Sequence, residues 1–179
     1  MEIIYADPVA DCPKIVSRSR WGAKAPKSTD TIVIPVEYII IHHTVTPTCL
    51  DEDECSRRLV NIQEYHQNVK DFPDIGYNFL IGGDGHVYEG VGWHKLGYHT
   101  KNWNKKSVGI GFVGNFTNEA PGKKQLRVAK KLIKCGISLG EVEEEYKLLG
   151  ARSLRPTSSP GDALFKEIQN WKGFVRSPE

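Results

Sequence analysis

Residues 36–45 read VEYIIIHHTV. The β-branched run through Ile39, Ile40 and Ile41 is stiff and apolar on every side, which predicts a buried strand. His42 and His43 fall at or near its C-terminal end, where polar side chains leave a sheet and can meet a ligand. Successive side chains on a strand point to opposite faces, so only one of this pair can serve a given site.

The segments around this strand predict the rest of the fold. Residues 1–37 are mostly irregular; KIVSRSRWGAKAP pairs Ile15 with Val16 and then turns basic, while Trp21 is too large to stand exposed without cause. LDEDECSRRLVNIQEYHQNVKDF predicts a helix capped by Asp51, with Glu54 completing a capping box. Cys55, Leu59, Ile62, His66 and Val69 share its apolar face. YNFLIGGDGHVYEG predicts a hairpin about Gly83-Asp84-Gly85. SVGIGFVGNF predicts another strand, in which Gly109 and Gly111 call for close approach by a neighbouring element.

A second helix starts near Gly122. Leu126, Ala129, Leu132, Ile133 and Ile137 form its apolar side. Lys123, Lys124, Arg127, Lys130, Lys131 and Lys134 cover much of the remainder, a stripe that reads as a solvated face before it reads as a site for an anionic polymer. YKLLGA predicts a short strand. A last helix opens near Ser159-Pro160, with proline in its first turn and Leu164, Phe165, Ile168 and Trp171 as its apolar face. The expected architecture is one α/β domain over residues 1–179, a central mixed β-sheet flanked by three main helices.

Composition narrows the class. With 179 residues, 39% hydrophobic and 9% aromatic, the chain can build a core. No apolar run is long enough to span a bilayer, which argues against a membrane protein. A net charge of +2 gives no case for nucleic acid. Four cysteines are present, Cys12, Cys49, Cys55 and Cys135. Cys49 and Cys55 bracket an acidic loop that a short disulfide can close, leaving Cys12 and Cys135 as a second pair; four free thiols are the alternative. Disulfides imply an oxidising compartment. The start, EIIYADPVADC, has neither a basic head nor an apolar core, so no signal peptide is read there.

His66 lies on an apolar helix face, where a lone histidine reads as a core or cleft-wall group. His86 sits in a hairpin turn. No HExxH motif is present, and spacing alone does not assemble a zinc site.

The blocks SRSRWGAKAP, IIHHTVTPTC, NIQEYHQN, DIGYNFLIGGDGHVYEGVGW, SVGIGFVGNF and LLGARSLRPTSSPG resemble the insect peptidoglycan recognition proteins. That family is similar to zinc-dependent N-acetylmuramoyl-L-alanine amidases. The resemblance runs from Cys12 to Trp171. In amidase members the first histidine of the HH pair, here His42, ligates zinc. The second ligand is a histidine after LLG and the third a cysteine just before PG. Ala151 and Ser159 stand at those two positions. Alanine has no donor atom, and a neutral hydroxyl is a poor substitute for a thiolate. Tyr77 and Thr157 match the other catalytic polar positions.

The resemblance therefore implies a binding protein without zinc, other cofactor or amidase activity. The expected ligand is bacterial peptidoglycan, held in a groove whose contact positions map to His42, His66, Tyr77, His99, Asn104 and Thr157. Trp93 and Trp103 stand open between ligand-facing and core roles. Members that bind diaminopimelic-type peptidoglycan carry Gly-Trp and an arginine where this chain has Asp71-Phe72 and Val91. That difference implies a preference for Lys-type stems. The implied setting is secretion into haemolymph, with other recognition proteins and a serine-protease cascade as partners. The alternatives are a scavenger that masks peptidoglycan without signalling, or a hydrolase of another mechanism. RPTSSPG lacks a nucleophile elbow, and a serine pair before a helix reads as an exposed cap.

Overall fold

The computed structural model describes residues 11–179; the expectations for the first ten lie outside these. The described elements are β1 (Ile15–Val16), α1 (Arg18–Trp21), β2 (Val36–His43), α2 (Glu52–Asn68), β3 (Phe79–Ile81), β4 (Val87–Glu89), β5 (Ser107–Phe112), α3 (Lys123–Ser138), β6 (Val142–Gly150) and α4 (Asp162–Ile168). The strands form one sheet in the order β1-β4-β3-β5-β2-β6. Among the described strands only β3 and β4 pair antiparallel, through the expected hairpin, so the sheet is mixed. No helix among the described residues is long and apolar enough to cross a membrane.

β2 lies between β5 and β6, which explains its run of isoleucines. Its side chains alternate between the two faces of the sheet, and Ile39, Ile40 and Ile41 are all fully buried. Ile39 and Ile41 join Val108, Ile110, Phe112, Leu132, Ile133, Leu148 and Leu164 in the core under α3 and α4. A second layer of Trp21, Leu59, Ile62, Ile75, Leu80 and Tyr88 lies under α1 and α2. Trp21 is buried and its indole N–H donates to the Glu89 carbonyl at 2.7 Å.

Several local expectations change. Asp51 caps α2 by accepting the Glu54 N–H at 2.8 Å, but Glu54 reaches back to the Leu50 N–H, one residue beyond the expected box. Val69 is 67% exposed because α2 ends at Asn68. Gln63 and Gln67 are buried instead, since the chain at 24–27 crosses that flank and its backbone needs partners. Gln63 bonds both the Lys24 N–H and carbonyl, and Gln67 donates to the Ala25 carbonyl. The strand read as YKLLGA extends over the whole of β6. Pro160 precedes α4 rather than opening it. Gly161 occupies the N-cap at φ 90°, and a Cβ there would meet the Phe116 carbonyl oxygen at 2.4 Å, so the helix begins only after this glycine.

Both expected disulfides, Cys12–Cys135 and Cys49–Cys55, are formed, and no cysteine is free.

Candidate functional site

The cleft starts from two glycines. β2 and β5 run parallel with Ile40 opposite Gly109 and His42 opposite Gly111. On this face of the sheet, the side away from α3, β5 offers no side chain opposite Ile40 or His42. Two rings fill the space. A Cβ at Gly109 would stand 2.4 Å from the His99 ring, and one at Gly111 would stand 3.0 Å from the Tyr77 ring. The expected close approach is therefore made by the cleft's own residues. Gly109→Ala should force His99 off its seat and cost about 3 kcal/mol, the upper end for overpacking a core. Chemical denaturation checks this, and an unchanged midpoint would rule the steric account out.

Six rings then line the wall in unbroken sequence. Tyr98 packs on Phe72 at 5.5 Å between centroids, Phe72 on His66 at 5.3 Å, and His66 on Tyr77 at 5.7 Å. Tyr77 packs on His42 at 5.5 Å, and His42 on His99 at 5.3 Å. α2 supplies His66, the end of β2 supplies His42, and the loops before β3 and β5 supply the rest.

The ring set is uncharged. Burial, the neighbouring His99 and then His43 hold His42 well below the ordinary histidine range. Burial, with help from Lys70, lowers His66 to about 4. Burial lowers His99 to about 3 and raises the Tyr77 hydroxyl to about 12. At neutral pH the cleft thus offers neutral imidazoles and a phenol O–H, groups that suit hydrogen bonds to amides and sugar hydroxyls. His99 Nε2 is buried with no hydrogen-bond partner in the protein.

Thr100, which the sequence reading did not single out, organises two of these rings. Its buried Oγ1 lies 2.9 Å from His42 Nε2 and 2.8 Å from His99 Nδ1. One hydroxyl has one proton, so at least one of the facing nitrogens must carry its own. Adjacency to His99 was the only sequence signal. Thr100→Val keeps the shape and removes the bridge. It should cost about 2 kcal/mol and lower Tm by roughly 4–8 °C in a chain of this size. Thr100→Ser should restore most of it, and a Tm equal to the parent's in the valine variant would count against the bridge.

Asn104 has half of its amide committed: Oδ1 accepts the Thr100 N–H at 2.8 Å, so it fixes the loop and keeps only its NH2 for a ligand. Thr157 is exposed and accepts the Ser159 N–H at 3.2 Å. Trp93 sits on the other side of the sheet, 4.5 Å from Phe79 and against Gly136, so it is a core residue and not a cleft residue. Trp103 packs edge-on to Tyr38 at 5.2 Å. The Asp71 carboxylate is 95% exposed and 3.2 Å from Lys27 Nζ, which makes it a solvated turn residue. Val91 borders a separate cavity of about 210 Å³ beyond Tyr98.

Ala151 and Ser159 both lie at the C-terminal end of β2. Gly150 is paired with Ile41 across β2 and β6, so Ala151 emerges beside His42. Ser159 is buried, and its Oγ accepts the His43 N–H at 3.2 Å. It is neither exposed nor a helix cap, because the loop closes back on β6 through the Arg152 N–H to the Ser159 carbonyl. Both residues thus lie at the end of β2 that carries His42 and His43. Ala151 brings no donor and Ser159 only a hydroxyl already engaged. Among the described residues no group of three or more His, Cys, Asp or Glu side chains can hold a metal ion. The residues present do not fit zinc.

Residues 33–162 match the family described as N-acetylmuramoyl-L-alanine amidase. The chain is 59% identical over 169 residues to peptidoglycan-recognition protein 2 of Holotrichia diomphalia, covering 94% of this chain and 90% of that one. It is 44% identical over 169 residues to peptidoglycan-recognition protein SA of Drosophila melanogaster, with 94% and 83% covered. Its fold superposes on the structure of bumblebee PGRP-SA with a TM-score of 0.91 at 48% identity, covering 93% of this chain and 100% of that one. Drosophila PGRP-LB gives a TM-score of 0.89 at 41% identity, with 91% and 96% covered. With its cleft geometry and these likenesses together, the chain belongs to the peptidoglycan recognition protein family, built on the N-acetylmuramoyl-L-alanine amidase fold.

Proposed function

We propose that this protein is a secreted, non-enzymatic receptor that binds the sugar-peptide units of bacterial peptidoglycan and prefers Lys-type stems. The observation that carries the reading is the neutral wall of rings beside Ala151, which brings no donor, and Ser159, whose hydroxyl is already engaged. Such a wall can stack on sugars and exchange hydrogen bonds with a stem peptide, while Ala151 and Ser159 give His42 no partners with which to hold a water-activating metal. The formed disulfides support an extracellular setting. A receptor without turnover must pass its signal on, and other recognition proteins and a serine-protease cascade are the partners proposed.

The stem preference rests on Val91 rather than Asp71, whose charge Lys27 already answers. The cavity at Val91 holds the cations Arg18 and Lys95 against the anions Asp30, Asp74 and Glu89. Arg18 is spent on Asp74 at 2.9 Å and on the Gly90 and Lys24 carbonyls. An ammonium is better received there than a carboxylate. Calorimetry with matched Lys-type and diaminopimelic-type muropeptides tests this. The parent should favour the Lys-type ligand, and Val91→Arg should shift the ratio toward the other by about tenfold through a charge-assisted pair. Equal affinities in the parent, or a ratio unmoved by the arginine, would reject the preference. Release of stem peptide during the incubation would reject the non-enzymatic reading.

A further inference from the structure

Helix α3, KKQLRVAKKLIKCGIS, carries Lys123, Lys124, Arg127, Lys130, Lys131 and Lys134 and no acidic residue. The whole chain is +2 from 24 basic and 22 acidic residues, so 18 basic and 22 acidic residues remain elsewhere, a balance of −4. The helix alone thus turns a chain that is otherwise net negative into one that is net positive. Lys123, Arg127, Lys130 and Lys134 follow i, i+4, i+7 and i+11 and are all exposed, forming a row of roughly 16 Å with about one cation per turn.

Folding does not ask for this row. Lys123 and Lys124 occupy the first turn, where the helix dipole disfavours cations. The pairs 123/127, 127/131 and 130/134 set like charges four residues apart, which repel. Among the described residues the row is poorly answered. Lys131 meets Asp11 at 3.1 Å, Lys130 lies over the Trp171 ring at 5.1 Å, and Glu167 borders the depression. That depression runs along the helix with a volume of about 690 Å³. α3 packs on the Ile39 and Ile41 side of the sheet, opposite the ring-lined cleft, so an occupant of one surface does not block the other.

The residue types select the occupant. Protein interfaces are enriched in arginine and aromatics and depleted in lysine. α3 shows the reverse, with five lysines, one arginine and no aromatic residue. Lysines are mobile point charges that neutralise phosphates without demanding a fixed geometry. We propose that the exposed face of α3 docks a linear polyol-phosphate polymer of the bacterial envelope, its phosphodiesters laid along the helix axis. The surface lies outside the cleft, and its test does not depend on what the cleft binds.

The test is fluorescence anisotropy with a labelled synthetic glycerol-phosphate oligomer free of peptidoglycan. Four contacted phosphates should weaken binding roughly 50-fold between 50 and 200 mM salt. The combined Arg127→Glu, Lys130→Glu and Lys134→Glu variant should lose at least about 30-fold in affinity at 50 mM salt. Its circular dichroism and its muropeptide binding should match the parent's. No binding at 50 mM salt, or an affinity unmoved by the triple reversal, would overturn the proposal. So would a polyglutamate peptide or a deoxythymidine oligomer of equal charge binding more tightly, which would assign the face to an acidic protein or to nucleic acid.

Discussion

Between pH 7 and pH 4 the protein should lose about 6 kcal/mol of folding free energy, carried by His66 and His99. Both are held neutral in the fold, lowered to about 4 and about 3 from an ordinary value of 6.5. As pH falls below 6.5 the unfolded chain takes up these protons and the folded chain does not. Stability is therefore full above 6.5 and declines as acid is added, until each folded-state value is passed. His42 pulls the same way. Domains have about 5–15 kcal/mol to lose, so unfolding near pH 4 is the expected result. Urea titrations at half-unit pH steps check it. His66→Asn, whose amide oxygen can accept the Gly76 N–H that His66 Nδ1 now takes at 2.9 Å, should remove about half of the slope. A midpoint constant from pH 7 to 4 would sink the account.

Replacing both Cys12 and Cys135 by serine should cost about 5 kcal/mol, whereas the same change at Cys49 and Cys55 should cost about 2 kcal/mol. The bridges span sequence separations of 123 and 6 residues, and the longer restrains far more of the unfolded chain. Denaturant midpoints of the two double variants compare them directly. Equal losses would mean that the difference in loop length does not set their relative worth.

The fold was legible wherever one local rule governed a segment. Ile39–Ile41 announced a buried strand, and the hairpin at Asp84 and the alternation of Gly109 with Gly111 stood out for the same reason. The site was legible mainly through its resemblance to a family, because its residues come from distant segments. Thr100 gave no warning: a threonine after a histidine is ordinary until β2 brings His42 within 2.9 Å of it. Asn104 looked like a reader of peptide, but its oxygen is consumed by the loop that presents it. Ser159 looked like an exposed cap because nothing local reveals that the turn after β6 folds back onto His43. Trp93 stood undecided between two roles, and the side of the sheet it occupies, a tertiary fact, decided for the core. Where α2 ends, and which glutamine amides it buries, likewise depended on the crossing segment at 24–27.

The meeting of β2 and β6 bears on how such a receptor is connected to its catalytic relatives by mutation. Ala151 and Ser159 are two distinct positions in the turn between β6 and α4, so no single substitution can supply both ligands of a three-ligand centre. Histidine at 151 alone, or cysteine at 159 alone, raises the donor count only to two. Cysteine at 159 also gives up the hydroxyl that now accepts the His43 N–H. Each first step thus brings no turnover for selection to act on, and the second must arrive before the first is lost. On the proposed reading, the distance from this receptor to a hydrolase is at least two substitutions, at 151 and at 159.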